Sequence, residues 1–144
     1  MNDAPVDSVA LHRYFQRDRF ARLVGLEVLE IAPGYARVRM PLREDLHNGL
    51  GIAHGGAIFT LADMAFAVAS NSHGTVAVGV NTSMSFLAAA STGTLTAEAV
   101  EVSRGRKLAT YTVRITDEAG AVIAIMQGTV YRKDQPLELD TPGS

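Results

Sequence analysis

The sequence contains no cysteine among its 144 residues. Disulfides, thiolate metal ligands and a cysteine nucleophile are therefore excluded, and we expect a cytoplasmic protein. The formal net charge is only −2 at pH 7, which argues against nucleic acid as a partner. No stretch is long and apolar enough to predict a membrane span. The first residues also lack the basic-then-apolar pattern of a signal peptide.

Several familiar catalytic motifs are missing as well. There is no G-x-S-x-G elbow, which argues against a Ser-His-Asp hydrolase, and no glycine-rich phosphate loop. His47, His54 and Asp63 could suggest a metal site, but no metal-ligand motif such as H-E-x-x-H accompanies them. We therefore expect neither a metal nor a cofactor.

The most informative stretch runs from His47 to Gly74. Ala57 to Ser70 is predicted to be helical, within a central helical segment of residues 54–73, because apolar residues recur at helical spacing. The remaining faces of this helix are scarcely more polar, so it should be buried in a core or against a partner. Asp63 stands in it with no Lys or Arg within a helical turn. Burial of an unpaired carboxylate is costly, so Asp63 is a candidate functional residue.

The segment His54-Gly55-Gly56 begins this helix and offers free backbone N–H groups where the helix dipole favours negative charge. Gly55 and Asp63 are eight residues apart, which is roughly 12 Å along a helix. One reacting carbon cannot reach both within a single chain. Two antiparallel helices across a dimer axis would bring Gly55 of one chain to Asp63 of the other. The alternative for Asp63 is a cap or an ion pair with an arginine elsewhere in the chain.

The rest of the chain predicts one helix and six strands around this segment. The first helix, within residues 1–23, begins at Asp7 or Ser8 and ends near Leu23. Turn sequences at residues 103–106 and 117–120 predict antiparallel hairpins. The predicted strands are Leu26 to Ile31, Tyr35 to Leu42, Val76 to Leu87, Leu95 to Val102, Leu108 to Thr116 and Val122 to Tyr131.

Together these elements predict an α+β fold in which an antiparallel sheet wraps around one long central helix. Residues 1–133 form a single domain of ordinary size, and residues 134–144 are expected to be a flexible tail. Such a sheet leaves edge strands and a second face to cover, so self-association is expected.

The order of elements, together with Asn48-Gly49, His54-Gly55-Gly56 and Leu61-Ala62-Asp63, resembles the hotdog-fold acyl-CoA thioesterases. The similarity is greatest to the PaaI-like branch, the thioesterases of phenylacetic acid degradation, and covers roughly residues 20–132. It implies a coenzyme A thioester as the substrate and a homodimer, commonly paired into a homotetramer, with the site at the dimer interface.

The resemblance also implies roles for the motif residues. The Gly55 N–H would polarise the thioester carbonyl, Asp63 would be the catalytic carboxylate, and Asn48 would position the thioester or a water. His54 precedes the oxyanion glycine, and it could instead hold the loop, just as Asn48 could be a turn residue. The residues expected to bind substrate are Gly56, Thr60, Asn81, Phe86, Arg104, Arg106 and Lys107.

Different reasons support these binding residues. Gly56 would add a second oxyanion donor, Thr60 would donate to Asp63, and Asn81 would line the pocket or pack at the core edge. Phe86 could shape an aryl pocket, although it suits a core equally well. Ala88-Ala89-Ala90 follows Phe86-Leu87 where the family often has Arg-Pro. The charges of residues 104–107 could therefore replace that arginine at the coenzyme A phosphates, or could simply be a solvated hairpin.

Three functions remain open at this point. The first is an acyl-CoA thioesterase in which Asp63 acts as a general base or as a nucleophile. The second is a non-catalytic acyl-CoA-binding module, which would not need Asp63. The third is a hydratase or dehydratase of the same fold, which would need a histidine paired with an acid. The resemblance implies an aryl-acetyl group, such as phenylacetyl, as the acyl group.

Overall fold

The computed structural model describes residues 6–139. The six strands form one antiparallel sheet in the order β1-β2-β4-β5-β6-β3, with α3 packed across one face, so the predicted α+β hotdog architecture is confirmed. The helices are α1 (Ser8–Phe15), α2 (Arg19–Val24) and α3 (Gly55–Asn71), and a short 3-10 turn covers Glu44–Leu46. The strands are β1 (Glu27–Ala32), β2 (Tyr35–Pro41), β3 (Thr75–Phe86), β4 (Thr94–Arg104), β5 (Leu108–Thr116) and β6 (Val122–Pro136).

Helix α3 packs closely against the inner face of the sheet. Phe66 of α3 is 2 % exposed and packs edge-on against Tyr111 of β5, with ring centroids 5.9 Å apart. A Cβ on Gly128 of β6 would lie only 2.7 Å from the Phe66 ring, so glycine is required at this approach. This packing fixes the position of α3 on the sheet, and therefore the positions of the residues on its other faces.

The outer face of α3 is not covered by any element within residues 6–139. Gly56, Phe59 and Asp63 are exposed along it, although the helix as a whole is strongly apolar. Of the two alternatives expected for this apolar helix, burial in the core alone does not hold among residues 6–139, and burial against a partner stays a prediction. Only the faces toward the sheet and the N-terminal helices are buried, because the sheet covers one side of the helix.

Strand β3 is a long edge strand. Its 12 residues pair with β6 on one side, and within residues 6–139 no strand pairs with its other side. Most of its side chains are exposed, including Val80 and Phe86. A long, unpaired and partly apolar edge is a surface that proteins normally cover, which supports the expected self-association.

Two predicted boundaries are corrected by the structure. The single N-terminal helix is divided, because the Asp18 carboxylate accepts a hydrogen bond from the Ala21 N–H at 2.9 Å and begins α2 as a new helix. The predicted tail from residue 134 is also partly wrong. Strand β6 continues to Pro136, and the N–H of the buried Leu137 donates to the Gly74 carbonyl. The remaining tail residues 140–144, like residues 1–5, lie outside the described part.

None of the helices found between residues 6 and 139 has the length and apolar character needed to cross a bilayer.

Candidate active site

A cavity of about 380 Å³ opens at the N-terminus of α3. Gly55 begins the helix there, and the ring of Phe86, at the end of β3, lies beside it. Phe86 therefore lines this cavity, and its contact with a substrate stays a prediction. The other residues of the wall are Asn48, Ile52, Ala53, Ile58, Leu87, Ala88 and Ala89. The small side chains of Ala88 and Ala89, noted in the sequence as a departure from the family pattern, keep this cavity open.

The first two N–H groups of α3 differ in their hydrogen bonding. The Gly56 N–H donates to His54 Nδ1 at 2.8 Å, so His54 is the N-cap of the helix. The Gly55 N–H has no acceptor among residues 6–139. The prediction that both N–H groups are free is therefore wrong for Gly56, whereas Gly55 presents an unsatisfied donor to the cavity. His54 holds the helix start, the second of the two roles considered for it.

Asn48 both shapes the loop and lines the cavity. Its side-chain oxygen accepts a hydrogen bond from the Leu50 N–H at 2.9 Å, so the oxygen is committed to the turn. The Asn48 Nδ2 group has no acceptor among residues 6–139. An amide donor and the Gly55 N–H therefore line the same cavity, a combination suited to a carbonyl oxygen that becomes negative.

Asp63 lies two helical turns beyond Gly55 on the exposed face of α3. Among residues 6–139 its carboxylate has no hydrogen bond or ion pair, so the arginine partner considered as an alternative is absent there. Thr60 was expected to donate to Asp63, but its Oγ1 donates to the Gly56 carbonyl at 2.7 Å. Desolvation by the apolar surroundings raises the pKa of Asp63, and the negative charge of Asp18 raises it further.

Asp18 provides a test of this electrostatic environment. Replacement of Asp18 by Asn removes the negative charge but keeps a side chain that caps α2. We expect the pKa of Asp63 to fall. If ionised Asp63 is required, the acidic limb of the pH profile of kcat/KM should then move to lower pH. Asp7→Asn is the matched control, because Asp7 caps α1 in the same way. An unmoved or upward-shifted limb in Asp18→Asn would contradict the coupling.

Asn81 does not lie where it was expected. It is paired with Thr129 of β6, whereas the neighbouring register pair joins Thr82 to Gly128, which faces Phe66. Because side chains alternate along a strand, Asn81 lies on the sheet face opposite to α3. It therefore lines neither the Gly55 cavity nor the helix side of the sheet within one chain.

The basic hairpin after β4 is also far from Gly55 in the same chain. Arg104 contacts the ring of His73, just beyond the C-terminus of α3. The 17 residues of α3 separate this end from Gly55, a distance of roughly 25 Å. Arg106 and Lys107 are exposed at the hairpin tip. Any contact of these charges with a ligand at Gly55 must therefore come from a second chain.

A histidine–carboxylate pair does exist, but it is structural. His73 Nε2 lies 2.8 Å from Glu101 Oε1, and its side chain is only 6 % exposed. Arg104 contacts the other ring nitrogen, Nδ1, so both nitrogens of the His73 ring are engaged. Tyr111 also donates to Glu101. The pair therefore anchors the C-terminus of α3 to the sheet, far from the cavity at Gly55.

The three residues considered for a metal site, His47, His54 and Asp63, do not form a cluster. His47 hydrogen-bonds the Ser91 carbonyl at 2.7 Å, His54 caps α3, and Asp63 lies two turns away. Across residues 6–139 no group of three His, Cys, Asp or Glu side chains could hold a metal ion.

Sequence reasoning missed Asp18 and the alanines that line the cavity. An Asp three residues before Ala21 is a recognisable helix-start signal, so the α2 cap could have been found. The proximity of Asp18 to Asp63 could not have been found in the sequence. These residues are 45 positions apart, and only the packing of α2 on α3 brings them together.

Comparisons with known proteins identify the family of the chain. The Thioesterase superfamily matches residues 50–124, which include both Gly55 and Asp63. The acyl-coenzyme A thioesterase PaaI of Escherichia coli is 33% identical over 122 residues, covering 84% of this chain and 87% of that protein. Its structure superposes with a TM-score of 0.86, covering 90% of this chain and 94% of that one at 30% identity. The TT0310 protein of Thermus thermophilus is 42% identical, with a TM-score of 0.78 and coverage of 81% and 99%.

The family match covers more than half of the chain and includes the N-terminus of α3, and the likeness to PaaI extends over nearly the whole fold. The chain therefore belongs to the thioesterase superfamily, on its PaaI-like branch, and is a thioester hydrolase.

Proposed function

We propose that the protein hydrolyses an aryl-acyl-CoA to the free acid and coenzyme A, at a site shared by two chains. The observation that carries this proposal is the unsatisfied Gly55 N–H, which opens into a cavity with the Asn48 amide. In thioester hydrolysis the carbonyl oxygen becomes an oxyanion, and a fixed backbone donor contributes roughly 3–4 kcal/mol to its stabilisation.

Asp63 of the partner chain completes the site in this proposal. Within one chain Asp63 is too far from Gly55 to act on the same carbon, since eight helical residues span roughly 12 Å. Both residues, however, belong to a helix with an exposed face, and β3 beside it has an unpaired edge. A two-fold axis across this surface would pair two antiparallel α3 helices and create two equivalent sites, as closed dimers commonly do.

The same arrangement offers a place for the basic hairpin. With Gly55 opposite the partner's Asp63, the C-terminus of the partner's α3 extends roughly 12 Å beyond Gly55. Arg106 and Lys107 of the partner, both exposed, would then lie on the side from which coenzyme A enters. We assign them to the coenzyme A phosphates in preference to Arg104, which is engaged with His73.

Two other functions receive less support. A dehydratase of this fold would need its histidine–acid pair at the thioester, and the His73–Glu101 pair lies at the other end of α3. A binding module would not need the Asp63 carboxylate, which has no hydrogen bond or ion pair among residues 6–139. A pairing of dimers into a tetramer also remains part of this proposal, with the exposed outer face of the sheet as its surface.

The direct test is the release of coenzyme A from a panel of acyl-CoAs, followed with a thiol-reactive dye. The protein has no cysteine and adds nothing to the signal. The panel contains phenylacetyl, hydroxyphenylacetyl, benzoyl, and short and medium aliphatic thioesters. We expect turnover that is highest for the aryl members. Tight binding of a non-hydrolysable thioether analogue without any release from the panel would instead support the binding module.

A further inference from the structure

Arg132 of β6 is a buried arginine that takes no part in the hydrolytic step. It is only 5 % exposed, although arginine is rarely buried unless it is paired. Its Nη1 donates to the Gly105 carbonyl at 2.9 Å, and its backbone N–H donates to the Lys107 carbonyl at 2.7 Å. We propose that Arg132 is a positioning residue that orders the basic hairpin, residues 104–107, for the phosphates of coenzyme A. This inference rests on the proposed function, because it concerns the same substrate.

A second anchor holds the β4 side of the basic hairpin. Arg104, the last residue of β4, contacts His73 Nδ1, and His73 Nε2 lies 2.8 Å from Glu101 Oε1. The Glu101 carboxylate also accepts a hydrogen bond from the Tyr111 hydroxyl at 2.8 Å. One side of the hairpin is therefore tied to the C-terminus of α3, while Arg132 ties the other side to β6.

The two cations at the tip of the basic hairpin are available to a ligand. The side chains of Arg106 and Lys107 are exposed and have no hydrogen bond or ion pair among residues 6–139. The turn beneath them is closed by a hydrogen bond from the Gly105 N–H to the Leu108 carbonyl at 2.8 Å. Charges on a fixed backbone lose less conformational entropy on binding an anion than charges on a flexible loop. The hairpin therefore presents two preorganised cations, which suit phosphate groups.

The basic hairpin lies apart from the reacting groups. It is at the C-terminal end of α3, roughly 25 Å from Gly55 of the same chain. A second cavity, of about 560 Å³, lies between the N-terminal helices, β1 and α3 beside Met64. Neither this cavity nor the one at Gly55 has Arg132 or the basic hairpin in its wall. A change at Arg132 should therefore affect KM for a coenzyme A thioester and leave kcat unaltered.

The test uses the complete protein and the best acyl group of the panel, attached either to coenzyme A or to pantetheine, which has no phosphate. Arg132→Met removes the charge and the donor but keeps a long side chain. We expect KM for the coenzyme A thioester to rise about tenfold, because the hairpin must then be ordered on binding. The kcat value, and both constants for the pantetheine thioester, should not change. Arg114→Met is the matched control, since Arg114 is an exposed arginine of the neighbouring strand β5, and it should behave as the wild type.

A double-mutant cycle distinguishes positioning from general stabilisation. The joint change Arg106→Met and Lys107→Met should itself raise KM for the coenzyme A thioester. Arg132→Met added to it should have no further effect, because Arg132 acts through those two charges. Hydrogen exchange should become faster in the peptide of residues 104–108 of Arg132→Met, but not in α3. Additive effects in the cycle, or an equal loss with the pantetheine thioester, would overturn the inference. Arg132→Lys, which keeps the buried charge, replaces Arg132→Met in the same cycle if that variant does not fold.

Calorimetric binding of free coenzyme A separates this inference from the hydrolytic function. If no thioester is hydrolysed but coenzyme A binds, and Arg132→Met weakens binding only while Arg106 and Lys107 are present, the role of Arg132 stands and the proposed function fails. If hydrolysis depends on Asp63 but Arg132→Met binds coenzyme A as tightly as the wild type, the proposed function stands and the role of Arg132 is wrong. The absence of both hydrolysis and coenzyme A binding would reject both.

Discussion

Replacement of Asp63 by Asn should reduce the hydrolysis of acyl-CoA by about 10²–10⁴-fold, the usual contribution of a positioned general base. Asn has nearly the same shape as Asp but cannot accept a proton or attack a carbonyl. The Gly55 N–H and the two cavities remain intact, so a non-hydrolysable thioether analogue should bind as it does to the wild type. Full turnover in Asp63→Asn would exclude Asp63 from the chemistry.

The folded state of this variant can be checked independently. Desolvation, and the charge of Asp18, raise the pKa of Asp63 in the folded protein. Its ionised form is therefore disfavoured by folding, and stability is lost as the pH rises through that pKa. An asparagine side chain does not ionise, so Asp63→Asn avoids this loss of stability. Its melting temperature at pH 7 should therefore equal or exceed that of the wild type. The difference should vanish in acid. A lower melting temperature at pH 7 would contradict this account of the Asp63 environment.

The two possible roles of Asp63 differ in where a solvent oxygen is incorporated. If Asp63 is a nucleophile, a mixed anhydride forms between its carboxylate and the acyl group. Hydrolysis at the Asp63 carbonyl in ¹⁸O-labelled water then leaves the label in the protein after one turnover. If Asp63 activates a water, the label is found only in the acid product. Label in the peptide that contains Asp63, detected by mass spectrometry, would therefore identify the nucleophilic role.

Two inactive variants should restore activity when they form a mixed dimer. Gly55→Pro removes the backbone donor, and Asp63→Asn removes the carboxylate. In a mixed dimer one site carries both defects, while the other combines an intact Gly55 with an intact Asp63. Random assortment makes half of the dimers mixed, so about a quarter of all sites should be active. The activity of each parent variant should be reduced by about 10²-fold or more. Recovery of about a quarter of the sites is therefore large in comparison.

Gly55→Pro is a mild change to the helix. Proline is well tolerated at the first helical position, and the preceding His54 already has the extended backbone, with φ −64° and ψ 136°, that proline requires. A Cβ at Gly55 would be 3.5 Å from the Phe86 ring, an ordinary contact. Gly55→Ala retains the N–H and is the matched control, which we expect to remain active.

The mixed-dimer experiment uses co-expressed chains with two different affinity tags, so that mixed dimers can be isolated. Activity per site should then approach half of the wild-type value. If the isolated mixed dimers are as inactive as the parents, Gly55 and Asp63 act within one chain or not at all. Since one helix holds them roughly 12 Å apart, that outcome would reject the proposed site.

Much of this architecture could be predicted from local sequence. The apolar periodicity and the glycines located α3 to within a few residues, and β-branched alternation located all six strands. These features are local, because helix and strand patterns depend on side chains that are near in sequence. The Asn48 to Asp63 motif likewise pointed to the correct family, since the spacing between an oxyanion donor and an acid on one helix is itself a local property.

The sequence could not predict which N–H is free or where Asp63 would lie. Only the structure shows that the Gly56 N–H donates to His54 Nδ1, which leaves the Gly55 N–H without an acceptor among residues 6–139. Asn81 was a candidate pocket residue until its register with β6 placed it on the opposite face. Both outcomes depend on hydrogen-bond geometry that sequence patterns do not encode.

The sequence by itself determined the elements, the motif and the family of this protein. Only the tertiary structure decided that β3 lies at the edge beside β6, that α3 keeps an exposed face, and that α1 and α2 enclose a cavity next to Met64. The physical reason is that strand order and helix packing join residues far apart in the chain. They depend on how the apolar surfaces of the whole chain are buried together, whereas each element depends on its own neighbours.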